Sequence, residues 1–330
     1  MILKLIDVIR KVIVLMKKLF IIVPTFNEAD ALPETIAQLT KVLSSLIAAQ
    51  KVMATSQIVF VNDGSKDATW SLIVDAASKN DLVSGINLSR NFGHQNAILA
   101  GLTELMTHDG DLFVTIDADL QDDETKIEEM VDKAAQGSDI VYGARKSRET
   151  DTAFKRNTAL LFYKLMHFLD VEMVPNSADY RLMSRRSVDE LLKFKESNLF
   201  LRGIVSKIGF SSDIVYYDRK PRQQGVSKYP LRKMISFAWN GVTSFTVAPI
   251  RFVLGLGVMS TIMAIVMMVY TMVGHFIGQT ISGWSSLMIS IWFLGGVQLL
   301  SVAIIGEYIG KIFQEVTKRP RFVIEDNLLE

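Results

Sequence analysis

Three oxygen-bearing side chains recur at every second position after an apolar run: Asp117, Asp119 and Gln121 in F-V-T-I-D-A-D-L-Q-D-D-E, residues 113–124. In extended backbone, residues two apart point to the same side. The three can therefore be presented together at the mouth of a buried strand. Carboxylate and amide oxygens suit a hard cation, Mg²⁺ or Mn²⁺, carrying a diphosphate rather than zinc. The same residues also suit an acidic loop capping the helix that starts near Asp122, where carboxylates are favoured. D-x-D by itself does not choose between the two.

The neighbours of this segment weigh on that choice. Apolar runs at Leu19–Val23 (ended by Pro24) and Leu112–Ile116 predict strands, and Ile58–Val61, Val83–Leu88 and Ile140–Tyr142 read as strands too. Helical patterns fall between them, at Leu32–Leu46, about Asp67–Ser78, Asn96–Met106 and Thr125–Gln136. Such alternation predicts an α/β fold with a parallel sheet covered on both faces, whose ligands bind beyond the carboxyl ends of the strands. Polar groups stand at those ends: Asn27 and Glu28, Asp63, Arg90 and His94, Asp117 and Asp119. Helix capping accounts for some of these four clusters, not for all. No G-x-G-x-x-G follows the first strand and no G-x-x-x-x-G-K-[ST] occurs, so phosphate would be handled by metal and basic side chains.

Composition narrows the class. The 330 residues contain no Cys, which excludes disulfides and thiolate metal sites, and the formal charge of +1 argues against a nucleic-acid partner. Between Arg251 and Glu307 the sequence has no Asp, Glu, Lys or Arg, and two apolar runs, Phe252–Val273 and about Trp284–Ile305, flank His275. Each is long enough to cross a bilayer, for which about 20 residues are needed. Arg232, Lys233 and Arg251 precede them, and Lys311, Lys318, Arg319 and Arg321 follow. The positive-inside rule then predicts a two-span hairpin in the inner or plasma membrane with the catalytic region and the C-terminus cytoplasmic. Residues 1–18 resemble a signal peptide, but Lys4, Asp7, Arg10 and Lys11 break the apolar run. They fit an amphipathic surface helix, or an extension ahead of a start at Met16.

Beyond Tyr142 the chain turns basic. Arg145 and Arg156 lead into an amphipathic pattern at Phe154–Leu169; Asp179 and Arg181 follow in N-S-A-D-Y-R-L, then Arg202 and a basic run through Arg219, Arg222 and Lys228. Such a run reads as a solvated face, a contact with anionic headgroups, or a receiver for a lipid phosphate. Pro230–Val247 predicts an amphipathic helix lying on the membrane.

From Leu19 to Arg321 the chain resembles the polyprenyl-phosphate glycosyltransferases of glycosyltransferase family 2. The resemblance rests on V-P-T-F-N-E (23–28), V-N-D-G-S (61–65), R-N-F-G-H-Q (90–95), D-A-D-L-Q-D (117–122), D-Y-R-L-M (179–183), the R-x-x-R-x-x-G-x-S-K-Y run (219–229) and the two-helix tail. The family often continues the acidic motif as Q-D-P-P-E, whereas here it reads Gln121-Asp122-Asp123-Glu124. The resemblance implies a GT-A fold over 19–229, an interface helix over 230–250, two spans over 251–308 and a cytoplasmic tail over 309–330. It implies a hexose transfer with inversion from a nucleotide sugar, UDP-glucose favoured, to undecaprenyl phosphate. Pro24, Asn27, Glu28, Asp63, Arg90, His94 and Asp117 would line the nucleotide-sugar pocket, and Asp119 and Gln121 would hold Mg²⁺ or Mn²⁺. Arg145, Arg156, Arg202, Arg219, Arg222 and Lys228 would meet the acceptor phosphate, and Asp117, Asp119, Asp179 and Arg181 would form the reacting centre. GDP-mannose, UDP-N-acetylglucosamine or an aminosugar donor stay open, as does a non-catalytic membrane scaffold. Gly255, Gly257, Gly295 and Gly296 would permit close helix packing, including in a homo-oligomer.

Overall fold

The computed structural model describes residues 16–146, 174, 176–196, 201–218, 248–277 and 283–329. The predicted helices at 154–169 and 230–247, Arg156, the basic run 219–229 and residues 1–15 lie outside them. The chain divides into two compact units, Met1–Lys228 with Pro320–Glu330, and Tyr229–Arg319.

In the first unit β1 (Leu19–Thr25), α1 (Leu32–Ala48), β2 (Gln57–Asn62), α2 (Thr69–Lys79), β3 (Val83–Leu88), α3 (His94–Leu105) and β4 (Leu112–Thr115) alternate as the hydrophobic pattern predicts. A 3₁₀ turn (Glu124–Lys126) then leads into α4 (Ile127–Ala135). After it come β5 (Ile140–Arg145), β6 (Ser177–Ser184), α5 (Arg185–Lys193), α6 (Leu201–Lys207) and β7 (Ser212–Tyr217). The second unit holds α7 (Ala248–Phe276) and α8 (Trp284–Thr317), and the chain closes with β8 (Ile324–Asn327) back in the first.

One eight-stranded mixed sheet runs in the order β7-β5-β6-β4-β1-β2-β3-β8. β1 pairs in parallel with β2 and β4, and β2 with β3, whereas β6 is antiparallel to both β4 and β5, and β8 antiparallel to β3. Every residue of β1, β3 and β4 is buried, which is why β1 and β4 are largely apolar rather than alternating, while β3 (V-S-G-I-N-L) buries Ser84 and Asn87 as well. The order reverses between β1 and β4, so the crevice beyond their carboxyl ends is the switch point where α/β sheets take ligands.

Several expectations need correction. β1 does not end at Pro24 but carries it, opposite Val61. Pairing with β4 stops at Ile22–Thr115, so the side of β1 on which Pro24 lacks a donor has no strand to bond. β5 extends past Tyr142 to Arg145, and β6, β7 and β8 are strands that periodicity did not announce. The segment after Arg319 is not simply a tail, because β8 caps the sheet edge. Among the described residues one stretch, Phe293–Thr317, is long and apolar enough to cross a membrane by length and composition.

Gly64, at φ 64°, is where the loops after β2 and β3 touch: a Cβ there would sit 2.3 Å from the Arg90 carbonyl carbon. Gly64→Ala therefore combines left-handed strain with a backbone clash. It is expected to destabilise the fold by about 2 kcal/mol or more, against less for Gly137→Ala, where φ is 109° but no atom lies within 4 Å. Thermal melts of the two variants check this.

Candidate active site

The loops at the switch point are tied to one another before any ligand enters. Asn27 takes a left-handed turn (φ 53°) just after β1. Its N–H donates to Ser65 Oγ at 2.9 Å and its Oδ1 accepts from the Lys66 N–H at 2.9 Å, which fixes the loop after β1 to the loop after β2. The Glu28 N–H donates to Thr69 Oγ1, and its carbonyl accepts from Ala31 and Leu32 to start α1. Pro24 is buried in the strand beneath. Asp63 accepts from the Phe92 and Gly93 N–H groups at 2.7 and 2.9 Å, which holds the loop after β3. Burial pushes its carboxyl up, and those two donors offset part of the effect. Arg90 stacks on the Phe92 ring, 4.0 Å from its centroid.

A second layer lies between β4, β6 and α3. His94 opens α3, directed by Gly93 at φ 95°. Its Nε2 sits 3.4 Å from Asp117 Oδ1 and 3.6 Å from Asp179 Oδ2, between the carboxylates of two strand segments. Asp179 is buried and takes Arg181 Nη2 at 2.7 Å, with Arg202 Nε and Nη2 at 3.2 and 3.0 Å. Thr115 on β4 donates to the Asp179 carbonyl at 2.5 Å and locks the β4–β6 register beside the site. Burial raises the Asp179 carboxyl, but Arg202, His94 and Arg181 outweigh it and hold the group well below the usual carboxylate range. Asp117 is pushed up to about 6, by burial first, against the opposing pull of His94. Burial would lower the His94 imidazole, yet Asp179 and Asp117 hold it up to about 9.

Asp119 and Gln121 lie beyond this layer on a turn made by Leu120 at φ 50°. One Asp119 oxygen accepts from the Gln121 N–H at 3.2 Å. Among the described residues no three His, Cys, Asp or Glu side chains form a metal cage. Two oxygen-bearing side chains fit a magnesium-type ion, which keeps waters and takes further oxygens from substrate phosphate. Arg145 stands apart, at the end of β5, with Nη2 3.7 Å from the buried Asp122.

The structure thus gathers His94, Asp117, Asp179, Arg181 and Arg202 into one ion cluster, and gives Asn27 and Asp63 loop-fixing bonds. Of the basic residues assigned to acceptor phosphate, Arg145 and Arg202 are described, while Arg156, Arg219, Arg222 and Lys228 are not. Sequence reasoning missed Asp122 and Tyr217, whose hydroxyl donates to Asp122 Oδ1 at 2.5 Å. Asp122 read only as the start of a capped helix, and Tyr217 lies just ahead of the basic run that drew attention. Their 95-residue separation carries no local signal.

The mixed-sheet fold is GT-A-like, with a polar rim at its switch point, and comparison with known proteins identifies the family. Residues 20–192 match the family model described as "Glycosyl transferase family 2". The chain belongs to glycosyltransferase family 2 and is a glycosyltransferase. It is 51% identical over 310 residues (94% of this chain, 92% of the other) to "Uncharacterized glycosyltransferase YkoT" of Bacillus subtilis. It is 37% identical over 313 residues (93% and 97%) to "SfII prophage-derived bactoprenol glucosyl transferase" of Shigella flexneri. Among solved structures, glucosyl-3-phosphoglycerate synthase of Mycobacterium tuberculosis aligns with a TM-score of 0.44 at 15% identity, over 68% of this chain and 76% of that one.

The His94 imidazolium yields a pH test. A histidine whose value rises from 6.5 to about 9 on folding contributes stability that is complete below 6.5 and lost as pH climbs through 9. Denaturation midpoints of the wild type are expected to fall over that window. His94→Gln should fall less, and the wild-type His94 resonance should titrate near 9 by NMR.

Proposed function

We propose that the protein transfers a hexose, glucose from UDP-glucose, to undecaprenyl phosphate, forming the polyprenyl-phosphate sugar and releasing nucleoside diphosphate with inversion at the anomeric carbon. The observation that carries this reading is the path of the chain. It leaves the sheet-bearing unit after Lys228, passes through a stretch of membrane-spanning length and composition at Phe293–Thr317, and returns at Pro320 to place β8 beside β3. A single folded unit lies on one side of a bilayer, so an excursion from it crosses an even number of times. If Phe293–Thr317 is one crossing, α7, 29 residues long, is the natural second; residues 252–306 carry no Asp, Glu, Lys or Arg. The basic flanks Arg251, Lys311, Lys318, Arg319 and Arg321 favour a cytoplasmic sheet-bearing unit. An enzyme anchored in this way is suited to joining a water-soluble donor to a lipid acceptor, in keeping with the bactoprenol named in the Shigella relative.

In this reaction the acceptor phosphate is already anionic at neutral pH, so attack on the anomeric carbon requires no strong base. Asp179, held ionised by Arg181 and Arg202, has little tendency to take a proton; it orients the two guanidinium groups. The Asn27 and Asp63 loops shape the nucleotide pocket. A divalent cation, when bound, would be held by Asp119 and Gln121 and would neutralise charge on the leaving diphosphate.

The test is a panel of nucleotide sugars incubated with undecaprenyl phosphate and Mg²⁺ or Mn²⁺, with mass analysis of the lipid. Hexosyl lipid should form from UDP-glucose and fail to form after chelation. Product from another donor alone would overturn the sugar assignment, and no lipid product from any donor would overturn the acceptor. Asp119→Asn is expected to lower turnover about 100-fold or more, with unchanged turnover refuting the metal assignment.

A further inference from the structure

Arg145 is held in place by two groups that no part of the proposed reaction uses. It ends β5 in register with Tyr217, the last residue of β7, and the Lys146 N–H donates to the Tyr217 carbonyl at 3.0 Å. Tyr217 is fully buried, with Tyr180 edge-on to it at 5.5 Å between centroids. The Tyr180 hydroxyl in turn donates to the Asp123 carbonyl at 2.9 Å, so the aromatic pair also fixes the turn carrying Asp122. The Tyr217 hydroxyl meets Asp122 Oδ1 at 2.5 Å, and Arg145 Nη2 faces the same oxygen at 3.7 Å. Asp122 is 2% exposed, so its charge requires a cation close by.

One feature points outward from this arrangement. The Arg145 side chain keeps 20% exposure, unlike the carboxylate behind it. A guanidinium has five donors in a rigid plane, and one edge laid toward a carboxylate leaves others for a second anion.

We propose that Tyr217 and Asp122 are positioning residues for Arg145, and that together they build the receiving site for the acceptor's phosphate. This rests on the acceptor-phosphate reading of Arg145. The Tyr217 hydroxyl sets the orientation of the Asp122 carboxylate, and that carboxylate sets the plane in which Arg145 presents its donors. A phosphate bound there gains a fixed fork rather than a mobile charge.

Tyr217→Phe removes the hydroxyl and keeps the ring against Tyr180. It is expected to raise the KM for undecaprenyl phosphate about tenfold, with the KM for UDP-glucose little changed. Arg145→Ala should raise the same KM at least as far, and the double variant should add nothing to Arg145→Ala, because the tyrosine acts through the arginine. An unchanged acceptor KM in Tyr217→Phe, equal rises in both KM values, or full additivity would overturn the assignment. If Tyr217→Phe fails to fold, Asp122→Asn supplies the same comparison. Should Arg145→Ala itself leave the acceptor KM unmoved, the acceptor reading falls first, a result distinct from failure of the tyrosine alone.

Discussion

Asp179 is the constraint around which the site is built. Its carboxylate is 6% exposed at the centre of a mixed sheet, a position that an isolated charge does not tolerate. Cations from three elements answer it: Arg181 from its own strand, Arg202 from α6 and His94 from the start of α3. Removing one partner of a buried pair of this kind costs about 3–5 kcal/mol, since the remaining charge is stranded. The cluster therefore fixes α3, α6 and β6 relative to one another, with Asp179 and Arg181 buried and His94, Asp117 and Arg202 partly open to solvent. It also brings Asp117 next to His94, so Asp117 and Asp179 share one imidazole.

The loops above the cluster obey the same economy of fixed groups. Asn27 ties the β1 loop to the β2 loop, Asp63 ties the β2 loop to the β3 loop, and Gly64 permits the close approach. Behind them, Asn62 Nδ2 donates to Asn87 Oδ1 at 2.7 Å, and Asn87 Nδ2 in turn donates to Asp326 on β8 at 3.2 Å. The strand that completes the sheet after Arg319 is thus joined through buried amides to the polar rim at the switch point.

The strands β1 to β4 and their helices were legible because parallel strands buried on both faces are mostly apolar, and polar residues at their ends then stand out. β6 and β7 were not legible for the converse reason. D-Y-R-L carries an acid and an arginine in the middle of a buried strand, tolerable because each neutralises the other, and β7 alternates exposed and covered residues at the sheet edge. β8 is a polar strand of four residues with no apolar signature at all. Pro24 misled for a reason of pairing: a missing donor matters where a neighbour strand needs it, and β4 ends before that point.

Residue types and their spacing along the chain determined the α/β class, the polar rim and the family, because each depends on short-range periodicity or on local motifs. The partners of each charge were decided by tertiary structure alone. Asp179 with Arg202, His94 with Asp117, and Tyr217 with Asp122 are pairs 23, 23 and 95 residues apart, brought together by strand order and register. Burial is what turns these meetings into chemistry. The same acid that would be an ordinary exposed carboxylate on a loop becomes, enclosed and flanked by arginines, a permanently ionised anchor.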